Sequence, residues 1–240
     1  MQIVIISLAE QLQRRRHMAE QMVACPFPWR FQDAVRVNAF PPEYDFAARR
    51  RWFGFELSWG EIGCLLSHRA LWAQCHAANG GCWCILEDDI RLLPGFPAAL
   101  QQLEAGAGGW DLVRLMGHMP RTGWGEQRLT GGWELMMHPR QPGGTHGYVL
   151  TPAAAGRLLD YTRRIYEPVD NAIDTYWRHR LNVFCLSPAV IGLEPQLHST
   201  IGSRGSRRRP RWPGFKRDLR KGYSLLQRLV FNWRRYGRWH

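Results

Sequence analysis

Ile3, Val4, Ile5 and Ile6 are apolar at successive positions, which predicts a strand buried on both faces, as in a parallel sheet. The polar, helix-forming run Glu10 to Met22 follows, so the chain opens as β-α. Ser58-Trp59-Gly60-Glu61 fits a capping box, in which the Ser hydroxyl and the Glu carboxylate each satisfy a free amide at a helix entrance. Ile62, Leu65, Leu66, Trp72 and Ala73 then recur at helical spacing. Asn79-Gly80-Gly81 is expected to end that helix, because glycine tolerates the left-handed conformation found there. A strand Cys82 to Leu86 begins at once and carries three acids, Glu87-Asp88-Asp89, at its carboxyl end.

Beyond Pro94 the patterns shorten. Asp111 to Met116, Trp133 to His138 and Thr145 to Leu150 read as strands separated by Gly-rich breaks. Thr151-Pro152 starts a helix to about Arg164, with the hydroxyl as N-cap and proline at the first helical position. A helix near Asp170 to Arg180 and a strand Val183 to Leu186 complete the pattern. Strands alternating with helices predict an α/β fold with a mixed, mainly parallel sheet flanked by helices. In such sheets ligands lie at the carboxyl ends of strands, which is where the three acids fall.

The charge of +12 divides the chain. Residues 1–202 carry 19 Arg against 19 acids, whereas the last 38 residues hold 13 Lys and Arg against the single acid Asp218. The expected organisation is a folded domain over 1–202 and a basic tail over 203–240. The six cysteines show no C-x-x-C pair and no ordered spacing with His, so buried reduced thiols are expected and a structural zinc site is not. Met1 leads straight into an apolar strand with no basic leader, and no run of about 18 apolar residues occurs. The expectation is a cytoplasmic protein, soluble or bound peripherally to a membrane.

Adjacent carboxylates repel, so three at the end of an apolar strand call for a cation or strong donors, unless they form a solvated turn. Oxygen ligands suit Mg²⁺ or Mn²⁺, ions that keep positions open for substrate phosphates. Glu87 and Asp89, two apart on an extended chain, should share one side with Asp88 opposite.

Three segments taken in order resemble glycosyltransferase family 25. They are Ile3 to Leu8 followed by Arg14-Arg15-Arg16, then Gly60-Glu61-Ile62-Gly63-Cys64-Leu65-Leu66-Ser67-His68, then Ile85-Leu86-Glu87-Asp88-Asp89. Gly144-Thr145-His146-Gly147-Tyr148-Val149-Leu150, Pro168-Val169-Asp170 and His198-Ser199-Thr200-Ile201 near Arg204 continue the likeness. The resemblance implies a GT-A type fold, a UDP-sugar donor (usually UDP-galactose) and a divalent metal, Mn²⁺ or Mg²⁺. It also implies inverting transfer of a hexose to a lipid-linked oligosaccharide in lipopolysaccharide or lipooligosaccharide synthesis.

Inverting transfer needs charge stabilisation on the leaving diphosphate and a base at the attacking hydroxyl. Glu87, Asp88 and Asp89 are expected to hold the metal and, for Glu87 and Asp88, to border the donor. His198 is a further metal candidate by analogy within the GT-A fold. Asp170 is expected as base, or as a helix cap, with Asp174 one turn on. Ser7, Leu8, Arg15, Ser67 and His68 are expected along the donor site, although a run of arginines also reads as a solvated face and His68 as a core residue. Gly144 and Gly147 permit close approach to a sugar, or form a turn.

In the tail, at about 100° per residue, Leu219, Tyr223, Leu226, Val230 and Trp233 share one arc opposite a basic side, with Phe231 alone breaking the separation. Such a helix over 216–238 would lie on an anionic membrane or pack its apolar arc on protein. Two rival functions also fit parts of the sequence. One is a metal-dependent phosphohydrolase or nucleotidyltransferase using the same acids; the other is a basic-tailed nucleic-acid-binding protein, which leaves the acids unexplained.

Overall fold

The structure is a computed structural model that describes residues 1–106, 108–116, 123–194 and 214–238, with side chains in the last stretch from 222 onward. The strands are β1 (Gln2–Ser7), β2 (Trp29–Asp33), β3 (Trp83–Glu87), β4 (Ile90–Leu92), β5 (Leu112–Arg114), β6 (Trp124–Arg128), β7 (Glu134–Met137), β8 (Gly147–Leu150), β9 (Val183–Ser187) and β10 (Ile191–Leu193). The helices are α1 (Leu12–Met22), α2 (Phe46–Trp52), α3 (Trp59–Ala78), α4 (Phe96–Ala105), α5 (Pro152–Tyr161), α6 (Val169–Asp174), α7 (Tyr176–His179) and α8 (Gly214–Tyr236).

Among the described residues, eight strands form one sheet in the order β2-β1-β3-β8-β5-β9-β7-β6, and β4 pairs with β10 in a separate ribbon. Only β8 and β7 run against the other six strands of the large sheet. The expected mixed, mainly parallel sheet with flanking helices is therefore what forms. Ile3, Val4 and Ile5 are wholly buried in β1, which lies between β2 and β3, both parallel to it.

The expected capping box opens α3. Ser58 Oγ accepts from Glu61 N, and Glu61 Oε2 accepts from Ser58 N at 2.7 Å. Asn79 closes the helix in the left-handed conformation (φ 44°). The helix expected over 170–180 is instead two short ones, α6 and α7, which meet at Thr175. Gly147 sits where a Cβ would stand 2.5 Å from Ile191 Cδ1 and 2.9 Å from Leu86 Cδ2, so a side chain there would force those two side-chain ends to move.

The C-terminal half of α8 docks on the α/β body. Asn232 is fully buried and its Oδ1 accepts a 2.9 Å bond from the Tyr176 hydroxyl, while the Phe231 ring meets the Tyr176 ring edge-on at 5.6 Å. Phe231, which interrupts the polar side of the helical pattern, thus belongs to the docking face. Tyr223, Leu226 and Trp233 of the expected apolar arc remain exposed. Among the described residues no helix is long and apolar enough to cross a membrane.

Candidate active site

Pairing of Ile6 with Glu87 brings the carboxyl ends of β1 and β3 to the same rim of the sheet. The three acids then separate by side, although β3 ends at Glu87 and Asp88 and Asp89 lie in the turn that follows it. Asp88 is buried, and both of its oxygens are engaged: Oδ2 accepts a 2.6 Å bond from Ser7 Oγ, and Oδ1 a 2.8 Å bond from Arg14 Nη1. Its charge is thereby used to lock the β1 end and α1 to the turn after β3.

Glu87 and Asp89 face the segment that leads into β8. The Glu87 amide donates to the His146 carbonyl at 2.9 Å, which fixes this segment beside the strand end. Thr145 Oγ1 donates to Glu87 Oε1, and His146 Nδ1 lies 3.2 Å from Glu87 Oε2 and 4.0 Å from Asp89 Oδ1. Gly143 and Gly144, both with positive φ (73° and 80°), make the turn that delivers Thr145 and His146. Behind it, the buried Arg114 donates to the Gly144 carbonyl and to Asp174 Oδ1.

One oxygen or nitrogen from each of Glu87, Asp89 and His146 lies within 4.8 Å of the others. Burial raises the Glu87 carboxyl, but hydrogen bonding and charge from His146, joined by His68 and Thr145, reverse this and hold it at about 2. Burial and then the charge of Glu87 push Asp89 upward. His146 is lowered by burial, yet the bond and charge of Glu87, with Asp89, raise it overall. Asp89 Oδ1 is buried and accepts no hydrogen bond. Two carboxylates and an imidazole converge here with an orphaned acceptor between them, a donor set that fits Mn²⁺ or Mg²⁺.

Cys64, His68 and Glu87 form a second close group. Burial, followed by the surrounding acids, pushes the Cys64 thiol well up, and a soft sulfur ligand suits Mn²⁺ or Mg²⁺ less well than oxygen. His68 is held down to about 4 by burial, against the pull of Glu87. The remaining described cysteines are free thiols as expected.

These groups border a cavity of about 1040 Å³. Of the expected site residues, Ser7, Leu8, Ser67, His68, Glu87, Asp88, Asp89 and Asp170 line it. Arg15 does not; it donates to the Ser7 carbonyl at 3.0 Å and pairs with Asp33, while its neighbour Arg14 reaches the cavity. Asp174 also lies outside the lining, paired with Arg114. His198 falls outside the described residues. Asp170 sits in the first turn of α6, whose N-cap is Pro168, and accepts from the Asn171 amide at 2.8 Å.

The G-E-I-G-C-x-x-S-H segment supplies one wall of the cavity. Ser67 Oγ donates to the Gly63 carbonyl at 2.7 Å and accepts from the Val35 amide at 2.8 Å, holding residues 34–38 against α3. Thr145 and His146, part of the Gly144–Leu150 segment, lie beside Glu87.

The sequence model of the family described as "Glycosyltransferase family 25 (LPS biosynthesis protein)" matches residues 1–118. Over those residues the chain is similar to glycosyltransferase family 25. A "Glycosyltransferase 25 family member" of Aedes aegypti is 33% identical over 107 residues, 43% of this chain and 17% of that protein. "Procollagen galactosyltransferase 1-A" of Xenopus laevis is 25% identical over 175 residues, covering 66% of this chain and 28% of its own length. "Inactive glycosyltransferase 25 family member 3" of Homo sapiens is 29% identical over 131 residues, covering 48% and 21%. The chain thus spans under a third of each of these relatives. A solved structure of a glycosyltransferase involved in glycosylation of the PBCV-1 major capsid covers 65% of this chain and 61% of its own, at 10% identity and a TM-score of 0.30, a likeness that carries no argument.

Proposed function

We propose that this chain is a family 25 type inverting glycosyltransferase that moves a hexose, galactose first among candidates, from a UDP-sugar to a lipid-linked oligosaccharide of the lipopolysaccharide or lipooligosaccharide type. The observation that carries the reading is that Glu87, Asp89, His146 and Asp170 all border one cavity at the carboxyl ends of β1 and β3. Glu87, Asp89 and His146 would hold a divalent cation, which as a Lewis acid offsets the charge growing on the leaving diphosphate. Asp170 takes the proton of the acceptor hydroxyl as that oxygen attacks the anomeric carbon, and the bond from sugar to diphosphate breaks on the opposite face. Arg14, at the cavity wall, is charge-balanced by Asp88 and braces the turn that carries Asp89.

The reading extends to location. In α8 of the 203–240 tail, Tyr223, Leu226 and Trp233 are 59%, 58% and 50% exposed, with exposed Arg234, Arg235 and Arg238 close by in the sequence. Basic residues beside exposed aromatic and aliphatic groups fit the anionic inner face of a cytoplasmic membrane, where a lipid-linked acceptor would be met.

The test is a panel of nucleotide sugars screened for thermal stabilisation with Mn²⁺, on the wild type and on Asp89→Asn. A UDP-hexose should stabilise the wild type and fail on the variant; no shift with any nucleotide sugar overturns the donor assignment. Release of free sugar at the same rate with and without acceptor would instead identify a hydrolase. Salt-sensitive RNA retention without UDP binding would identify a nucleic-acid-binding protein.

A further inference from the structure

His68, Tyr148 and Trp72 form a wholly buried polar chain behind Glu87. Trp72 Nε1 donates to the Tyr148 hydroxyl oxygen at 2.9 Å, and His68 Nδ1 lies 2.8 Å from the same oxygen. The indole can only donate. If His68 also donated from Nδ1, the Tyr148 oxygen would accept twice, and its own proton would be buried with no acceptor, at a cost of about 1–3 kcal/mol. The consistent direction is Trp72 to Tyr148 to His68, with Nδ1 accepting and the imidazole proton on Nε2. That nitrogen is buried, has no hydrogen-bond partner, and lies 3.9 Å from Glu87 Oε1. The opposite tautomer would turn a lone pair toward a carboxylate.

We propose that Trp72 and Tyr148 fix His68 as its Nε2–H tautomer, making it a positioning residue whose N–H keeps Glu87 turned toward Asp89 and His146 and which is not itself a metal ligand. Two adjacent potential sites, one through Cys64 and His68 and the other through Asp89 and His146, thereby resolve into one. The Glu87 carboxylate is held from one side by Thr145 and His146 and is faced by a proton from the other. Outer partners of this kind ordinarily change metal affinity by about 10–100-fold when removed.

The metal part rests on the proposed cation site; the tautomer part does not. Long-range ¹H–¹⁵N spectra of the metal-free, ¹⁵N-histidine-labelled chain should show His68 as the Nε2–H tautomer, and Tyr148→Phe should mix the two forms. An Nδ1–H signal in the wild type overturns the proposal. Mn²⁺ titration of the full chain by calorimetry should then show about tenfold weaker binding for His68→Leu and near-normal binding for His68→Gln, whose amide restores an N–H. Equal affinity of His68→Leu and wild type overturns the positioning role. Absence of Mn²⁺ binding in the wild type sinks the cation site itself, and the spectra of the metal-free chain still decide the tautomer. Near-UV circular dichroism verifies that each variant is folded.

Discussion

Gly63 and Val35 meet so closely that a Cβ on Gly63 would stand 2.4 Å from the Val35 carbonyl oxygen. The contact is backbone to backbone, so no side chain can swing aside to relieve it. Gly63 and Ser67, one helical turn apart, together clamp residues 34–38 as a wall of the cavity.

Gly63→Ala should therefore push that wall outward. The expected loss is about 1–3 kcal/mol in urea unfolding, typical of overpacking. Stabilisation by UDP-hexose in a thermal scan should shrink as well, whereas Gly222→Ala, inside α8 with open space around it, should leave the UDP-hexose effect unchanged and raise stability by up to about 1 kcal/mol.

Asp89 is held beside Glu87 in a buried setting that opposes its charge. Asp89→Asn removes that repulsion, so the metal-free variant should melt higher than the wild type by roughly 2 °C, on the order of 1 kcal/mol or less. With Mn²⁺ the order should reverse, because only the wild type gains from binding. Calorimetric melts with chelator and with Mn²⁺ measure both signs.

Burial lowers His179 to about 4 from an ordinary 6.5, with its Nε2 3.2 Å from the Ile173 carbonyl. The unfolded chain takes up this proton as pH falls through 6.5, while the folded chain refuses it until about 4. Stability from this group is thus fully present above pH 6.5 and declines as pH falls toward 4, by about 3 kcal/mol in all. Urea midpoints across that range should fall in the wild type and fall less steeply in His179→Gln, in which buried His68, also held at about 4, keeps its own share of the decline.

Replacing Tyr223, Leu226 and Trp233 together with Ser should abolish co-flotation with anionic phospholipid vesicles and leave the melting temperature within about 2 °C, since all three are exposed. Wild type that binds neutral and anionic vesicles equally would remove charge from the account.

The parts of the fold that declared themselves in sequence were those where local rules and burial agree. Ile3 to Ile6 could be read as a doubly buried strand, and Ser58, Glu61 and Asn79 as the ends of α3, because capping chemistry is local. β2, with the sequence Trp29–Asp33, was not legible: it is an edge strand, half-buried, and its Arg and Gln hide the alternation. The 170–180 helix was read too long because the break at Thr175 carries neither Gly nor Pro. At the site, Asp88 stands opposite Glu87 and Asp89 as expected, but it does so through the turn after β3 and its bonds to Ser7 and Arg14, not through a continued strand. His146 lies 59 residues from Glu87 along the chain, and only the antiparallel pairing of β3 with β8 brings them together. The pairing of Asp174 with Arg114 was hidden for a similar reason, since Arg114 comes from the remote β5.

The grip of Tyr176 on Asn232, with Phe231 wedged alongside, means that α8 cannot roll about its own axis. Its uncovered row of Tyr223, Leu226 and Trp233 is consequently keyed to the body like a flange on a shaft. Any flat layer that receives this row sets the heading of the cavity mouth, and an acceptor confined to that layer would always approach from one bearing.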